Sequence, residues 1–147
     1  MPLEQKLTQL QQCAHTHNDQ KTASIIQEAI NNIHKLPTTH TTESDKRRAI
    51  EKTIQPRKDL QEAALRGGIK DFSTLIDKEI QILESVLPPL KTPQQTRQLI
   101  HHIIKTQRID TTTKTALGQI MKNLVGRADI DNTAAHHIAL DILKGNN

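Results

Sequence analysis

Aromatic side chains are almost missing from this 147-residue chain, which has one Phe, no Trp and no Tyr. Nucleic-acid readers of the stacking type offer several aromatic faces to successive bases, so that class is excluded. The single cysteine, Cys13, rules out a disulfide framework and any zinc module built on cysteine pairs, and it points to a reducing compartment. No apolar run approaches the roughly 20 residues that cross a bilayer. The opening Met-Pro-Leu-Glu-Gln-Lys has neither the apolar core of a secretory signal nor an arginine-rich presequence. A soluble, cytoplasmic protein without membrane association is expected. Glycine is scarce as well, and its five residues show no spacing that would cradle a nucleotide phosphate.

What the chain does contain is enough for a core. A chain of this length hides roughly two-thirds of its unfolded surface on folding, and 34% apolar against 24% charged residues is lean but compatible with packing. Charge is unevenly spread. Residues 1–87 carry 12 Lys plus Arg against 12 Asp plus Glu, whereas residues 88–147 carry 8 against 4, so the net charge of +4 lies in the C-terminal part. A local basic excess favours a polyanionic partner.

Apolar spacing is helical throughout. Leu3, Leu7, Leu10 and Ala14 form one stripe, and Ile25, Ile26, Ala29, Ile30 and Ile33 form a second after the polar break at Asn18-Asp19. The two read as a helical hairpin. Residues 36–44, rich in hydroxyls and holding Pro37, read as a loop or mobile linker. A third helical region spans about 45–66, with Pro56 inside it predicting a kink or a split. Beyond Gly67-Gly68, the stripe Phe72, Leu75, Ile76, Ile80, Leu83 and Leu87 predicts an amphipathic helix, ended by Pro88-Pro89. That proline pair is the expected boundary between modules 1–88 and 89–147. Thr92-Pro93-Gln94-Gln95 is a capping box with proline at the first helical position. Leu99, Ile100, Ile103 and Ile104 mark the helix it opens, Leu117, Ile120, Met121 and Leu124 the next, with Gly126 as a left-handed end, and Ala135, Ile138, Ala139 and Ile142 the last. No stretch alternates as a strand does. An all-α fold is expected.

Several of these segments resemble the GatB/YqeY family. The run from Glu79 to Pro88, Glu-Ile-Gln-Ile-Leu-Glu-Ser-Val-Leu-Pro, is similar to that family's EIxILExYLP segment. Leu117-Gly-Gln-Ile-Met121 with Gly126-Arg-Ala-Asp129 is similar to its MGKVMG…GRAD segment. Arg57-Lys58-Asp59, Gly68 and the hairpin residues Leu7, Ala14, Asp19, Ser24, Ile26 and Ile33 fall in register. Gln27 stands where the family usually has a basic residue, and Val86 where it has an aromatic. The resemblance implies an N-terminal helical module followed by a three-helix module like the tail of the GatB subunit of the tRNA-dependent amidotransferase. It further implies tRNA contact, and a family association with carbon–nitrogen ligase activity using glutamine as the amido donor. That activity belongs to the whole amidotransferase and does not pass automatically to a free tail-like protein.

The residues able to carry chemistry are few. Cys13 has His15 and His17 close in sequence, but on different parts of the helix surface, so it reads as a small semi-buried hydrophobe. The pairs His101-His102 and His136-His137 point about 100° apart on a helix and do not chelate from one element. Glu79 and Glu84 diverge by about 140° and read as solvated charges. Asp129 or Asp131 is expected to cap the last helix. No catalytic constellation, metal site or cofactor is expected.

The C-terminal cations arrange themselves better. His101, Lys105 and Arg108 follow i, i+4, i+7, and Lys114, Gly118 and Lys122 follow i, i+4, i+8, with Arg127 just beyond. Gly118 either bares backbone for a close phosphate approach or lets a neighbouring helix pack closely. The expected function is a non-catalytic protein that binds tRNA or another structured RNA through Lys105, Arg108, Lys114, Gly118, Lys122 and Arg127. The alternative is a helical adaptor docking on a synthetase or amidotransferase.

Overall fold

A computed structural model describes residues 2–38 and 41–145. These residues form seven helices and no strand, so the fold is all-α. The chain divides into two compact units, Met1–Pro88 and Pro89–Asn147.

The first unit holds α1 (Leu3–Thr16), α2 (Gln20–His34), α3 (Glu43–Arg66) and α4 (Lys70–Glu84). A three-residue connection folds α2 back on α1. Asn18 takes a left-handed φ of 55° there, while the amide of Asp19 donates to the carbonyl of Ala14 at 2.8 Å and closes the end of α1. Asp19 then caps α2 by accepting from the Thr22 amide. The stripes of both helices bury Leu3, Leu7 and Ala14 against Ile25, Ile26, Ala29, Ile30 and Ile33.

One boundary and one expected break differ from the sequence reading. α3 starts at Glu43, because Thr42 and Asp45 form a reciprocal capping box that the linker reading of 36–44 overlooked. Thr39 and His40, within that linker reading, lie outside the described residues. Pro56 does not split α3, which runs unbroken through it. The amide that proline removes would have served the carbonyl of Lys52, an exposed residue, where water can replace the bond.

α3 and α4 pair as a hairpin across Gly67-Gly68, where Gly68 is left-handed at φ 74°. Arg57 pins this hairpin to α2. Its Nη2 donates to Glu28 Oε2 at 2.6 Å, its Nε to Glu79 Oε1 at 3.3 Å and its Nη1 to the Thr53 carbonyl at 2.9 Å. Burial pulls the Arg57 pKa down, but the two carboxylates outweigh it and hold it above the usual arginine value. Ile76, Ile80 and Leu83 of α4 are buried, whereas Phe72 and Leu75 at the start of the same stripe are 42% and 47% exposed. Leu60, Leu65 and Ile69 nearby in sequence are exposed too.

The second unit holds α5 (Pro93–Thr106), α6 (Ala116–Lys122) and α7 (Asn132–Leu143) around one core. The Thr92–Gln95 capping box with Pro93 at the first helical position is formed as expected. Ile100, Ile120, Leu124, Ala135 and Ala139 are sealed from solvent. Three alanines in that core, Ala116, Ala135 and Ala139, let the short helices approach closely.

Candidate nucleic-acid interface

The cations of the second unit sit mostly at helix ends and turns. His101 and Lys105 lie on the exposed side of α5 while Ile100 and Ile103 turn inward. The helix stops one residue after Lys105, so the spacing expected to align Arg108 with His101 and Lys105 does not apply. Instead Arg108 is the left-handed residue that ends the helix, with φ 51°. The buried Ile109 explains it: its amide donates to the carbonyl of Ile104 at 3.1 Å, and its side chain enters the core. This six-to-one bond requires a left-handed residue between them, a role usually given to glycine. Gly126, expected to play that part after α6, falls in a turn past Lys122.

Lys114 also lies off the helix, in the turn before α6, so only Gly118 and Lys122 keep the helical spacing. The turn is held by Asp110, which accepts from the amide and hydroxyl of Thr112. A Cβ built on Gly118 would meet open space, which removes the reading that this glycine exists for close helix packing. The ends of α5 and α6 are tied by one bond, from Gln107 Nε2 to Asn123 Oδ1 at 2.9 Å. Gln107 adjoins Arg108 and Asn123 adjoins Lys122, so this bond brings Lys105, Arg108 and Lys122 to neighbouring helix ends. Lys105, Arg108, Lys114 and Lys122 are exposed and make no ion pair among the described residues.

Arg127 differs. It grips Asp129 with two prongs, Nε to Oδ1 at 3.0 Å and Nη2 to Oδ2 at 3.2 Å. Lys91 adds a second cation 3.6 Å from the same carboxylate, and its amide donates to the Asp129 carbonyl. The Arg127 hydrogen bonds hold the Asp129 carboxyl below its ordinary value despite burial. The charge of Arg127 is therefore largely spent within the fold. Asp131, not Asp129, caps α7 by accepting from the Thr133 and Ala134 amides.

Other candidates are settled by their partners. Glu79 binds Arg57 and Glu84 binds Lys58, so both are ion-paired across helices instead of merely solvated. Cys13 is exposed, not semi-buried, and His17 does reach it, with Nδ1 3.7 Å from Sγ. That nitrogen is also 2.9 Å from the Cys13 carbonyl oxygen. A carbonyl only accepts, so Nδ1 carries the proton and cannot take one from the thiol. His136 and His137 meet edge to face, and no group of three metal-ligating side chains stands together among the described residues. No helix among those residues is long and apolar enough to cross a membrane.

Sequence spacing also missed a basic set in the first unit. Lys35, Arg48 and Lys52 line one groove between α2 and α3. The i, i+4 relation of Arg48 and Lys52 was readable, but Lys35 joins them only through the packing of α2 on α3.

These features define an all-α protein of two small units with unpaired cations exposed on the second. The chain belongs to the YqeY-like protein family, whose family model matches residues 4–137. No curated protein matches the chain.

Proposed function

We propose that this chain is a cytoplasmic, non-catalytic protein that binds tRNA or another structured RNA, in association with the tRNA-dependent amidotransferase system. Lys105, Arg108, Lys114 and Lys122 supply phosphate contacts that position without reading sequence, and Gly118 leaves room for a close backbone approach. Arg127 contributes less, because Asp129 already occupies its fork.

The observation that carries this reading is Arg108. A left-handed non-glycine residue on an exposed helix end costs stability that glycine there would recover. Arg108 is exposed there, and its long cationic side chain suits a surface contact with a phosphate.

A gel shift of the full chain against bulk tRNA tests the reading. Four phosphate contacts predict that affinity falls about 50- to 150-fold between 50 and 200 mM salt. Lys105→Glu with Lys122→Glu abolishes the shift at low salt. Binding that is absent at low salt, or unchanged in this double variant, refutes the assignment.

One observation favours a second reading, an adaptor that docks on a synthetase or amidotransferase. Leu60, Leu65, Ile69, Phe72 and Leu75 leave apolar surface exposed around the α3–α4 turn. A partner captured by the full chain after nuclease treatment, and lost on Phe72→Ser with Leu75→Ser, favours that reading over RNA binding.

A further inference from the structure

The first unit carries a groove that the RNA reading does not use. It lies between the end of α2 and the first half of α3 and encloses about 500 Å³, within the range of small-molecule sites. Arg48 and Lys52, one helical turn apart on α3, form one side, and Lys35, the residue that caps the end of α2, forms the other. Leu36 and Ala49 add apolar surface.

The groove is held in shape. Asn32 Nδ2 donates to Thr53 Oγ1 at 2.7 Å, and that buried hydroxyl donates to the Ala49 carbonyl at 3.0 Å, so a chain of bonds joins α2 to α3 beneath it. The Leu36 amide donates to the Ile33 carbonyl and fixes the turn that follows Lys35.

Its charge is one-sided. The lining holds three cations and one carboxylate, Asp45, leaving an excess of two positive charges. Asp45 is committed to capping α3 through Thr42 and to Arg48 Nη2 at 2.9 Å. That bond takes one of the five N–H groups of Arg48. Lys35 and Lys52 make no ion pair among the described residues. Two ammonium groups without an ion pair among the described residues, beside a guanidinium that keeps four of its five N–H groups, suit a compact multivalent anion such as a phosphate.

We propose that this groove is a binding site for a phosphate-bearing ligand, with Lys35 and Lys52 as its main contacts and Arg48 as the third. The phosphate belongs either to a small phosphorylated molecule or to a nucleic-acid backbone. The charge excess matches the dianion that a phosphate monoester carries at neutral pH. The proposal is independent of RNA binding by the second unit.

Titration of inorganic pyrophosphate into the isotope-labelled full chain at low salt, followed by amide NMR, tests it. Saturable shifts confined to residues near Lys35, Arg48 and Lys52 are expected. Lys35→Gln with Lys52→Gln weakens them about tenfold or more while the melting temperature stays within a degree or two, because both side chains are exposed. Lys105→Gln with Lys122→Gln leaves the pyrophosphate titration unchanged, which separates this site from the RNA reading. A parallel titration with a short single-stranded RNA distinguishes the sources: shifts at the same amides assign a nucleic-acid backbone, and shifts with pyrophosphate alone assign a small ligand. No saturable shift with pyrophosphate, equal affinity in the Lys35/Lys52 variant, or groove shifts produced only by a glutamate-rich peptide would each overturn the proposal.

Discussion

The amide of Ile109 reaches back past the end of α5 to the carbonyl of Ile104, 3.1 Å away, and Arg108 between them is left-handed as a consequence. The bond satisfies an orphan carbonyl at the helix end and delivers Ile109 to the core. It also sets an arginine where glycine would be cheaper.

Arg108→Gly is therefore expected to stabilise the second unit by roughly 0.5–1 kcal/mol, since glycine adopts the left-handed region without a Cβ penalty. The same change lowers tRNA affinity. Thermal melting and a gel shift on one sample check both signs, and a variant that gains neither stability nor loses affinity removes the functional account of Arg108.

Gly118→Ala separates two properties in the same way. Its Cβ would enter open space, so the helix-propensity gain of up to about 1 kcal/mol is unopposed by any clash. Melting should rise, whereas RNA affinity should fall if a phosphate approaches the bare backbone. Destabilisation would show that another group packs on this glycine.

Acid should weaken the second unit through Asp129. Its folded-state pKa is depressed by Arg127, so the stabilisation is fully present above the ordinary value of 3.8 and is lost as pH falls through the folded value. Asp129→Asn is expected to cost about 0.5–1 kcal/mol at pH 7 because the pair is partly exposed, and to flatten the stability profile below pH 4. Chemical denaturation between pH 2 and 7 reads out both.

Removing Arg57 leaves Glu79 partly buried without its partner. Arg57→Ala should destabilise the first unit by about 1–3 kcal/mol. Adding Glu79→Gln should recover part of that loss, and a double-mutant cycle in urea measures the coupling.

Ile120→Ala and Phe72→Ser make a contrast between a sealed and an uncovered apolar residue. Ile120 has no exposed surface, so truncation should cost about 2–5 kcal/mol. Phe72 is 42% exposed, so its loss should cost far less than burial of a full aromatic would suggest. Equal losses in urea denaturation would mean that something covers Phe72 in solution.

Much of the helix content was legible because helical periodicity is a local property. The stripe from Ile25 to Ile33 is buried as its spacing required, and Thr92-Pro93-x-Gln95 capped α5 through bonds spanning three residues. The candidate site was less legible. Lys105, Gly118 and Lys122 kept their exposed helical positions, but Arg108 and Lys114 left the helices that the spacing assumed. At the end of α5 the chain turns back so that Ile109 enters the core, and the helical stripe read from the sequence did not include that residue.

By itself the sequence determined the all-α class, most helical segments and the basic bias of the last 60 residues, since each follows from residue type and near-neighbour spacing. Tertiary structure alone decided that Phe72 and Leu75 stay uncovered, that Arg127 is spent on Asp129, and that Lys35 meets Arg48 and Lys52 in one groove. Coverage and charge pairing depend on which distant element arrives beside a residue, and that arrival is set by how whole helices share a core.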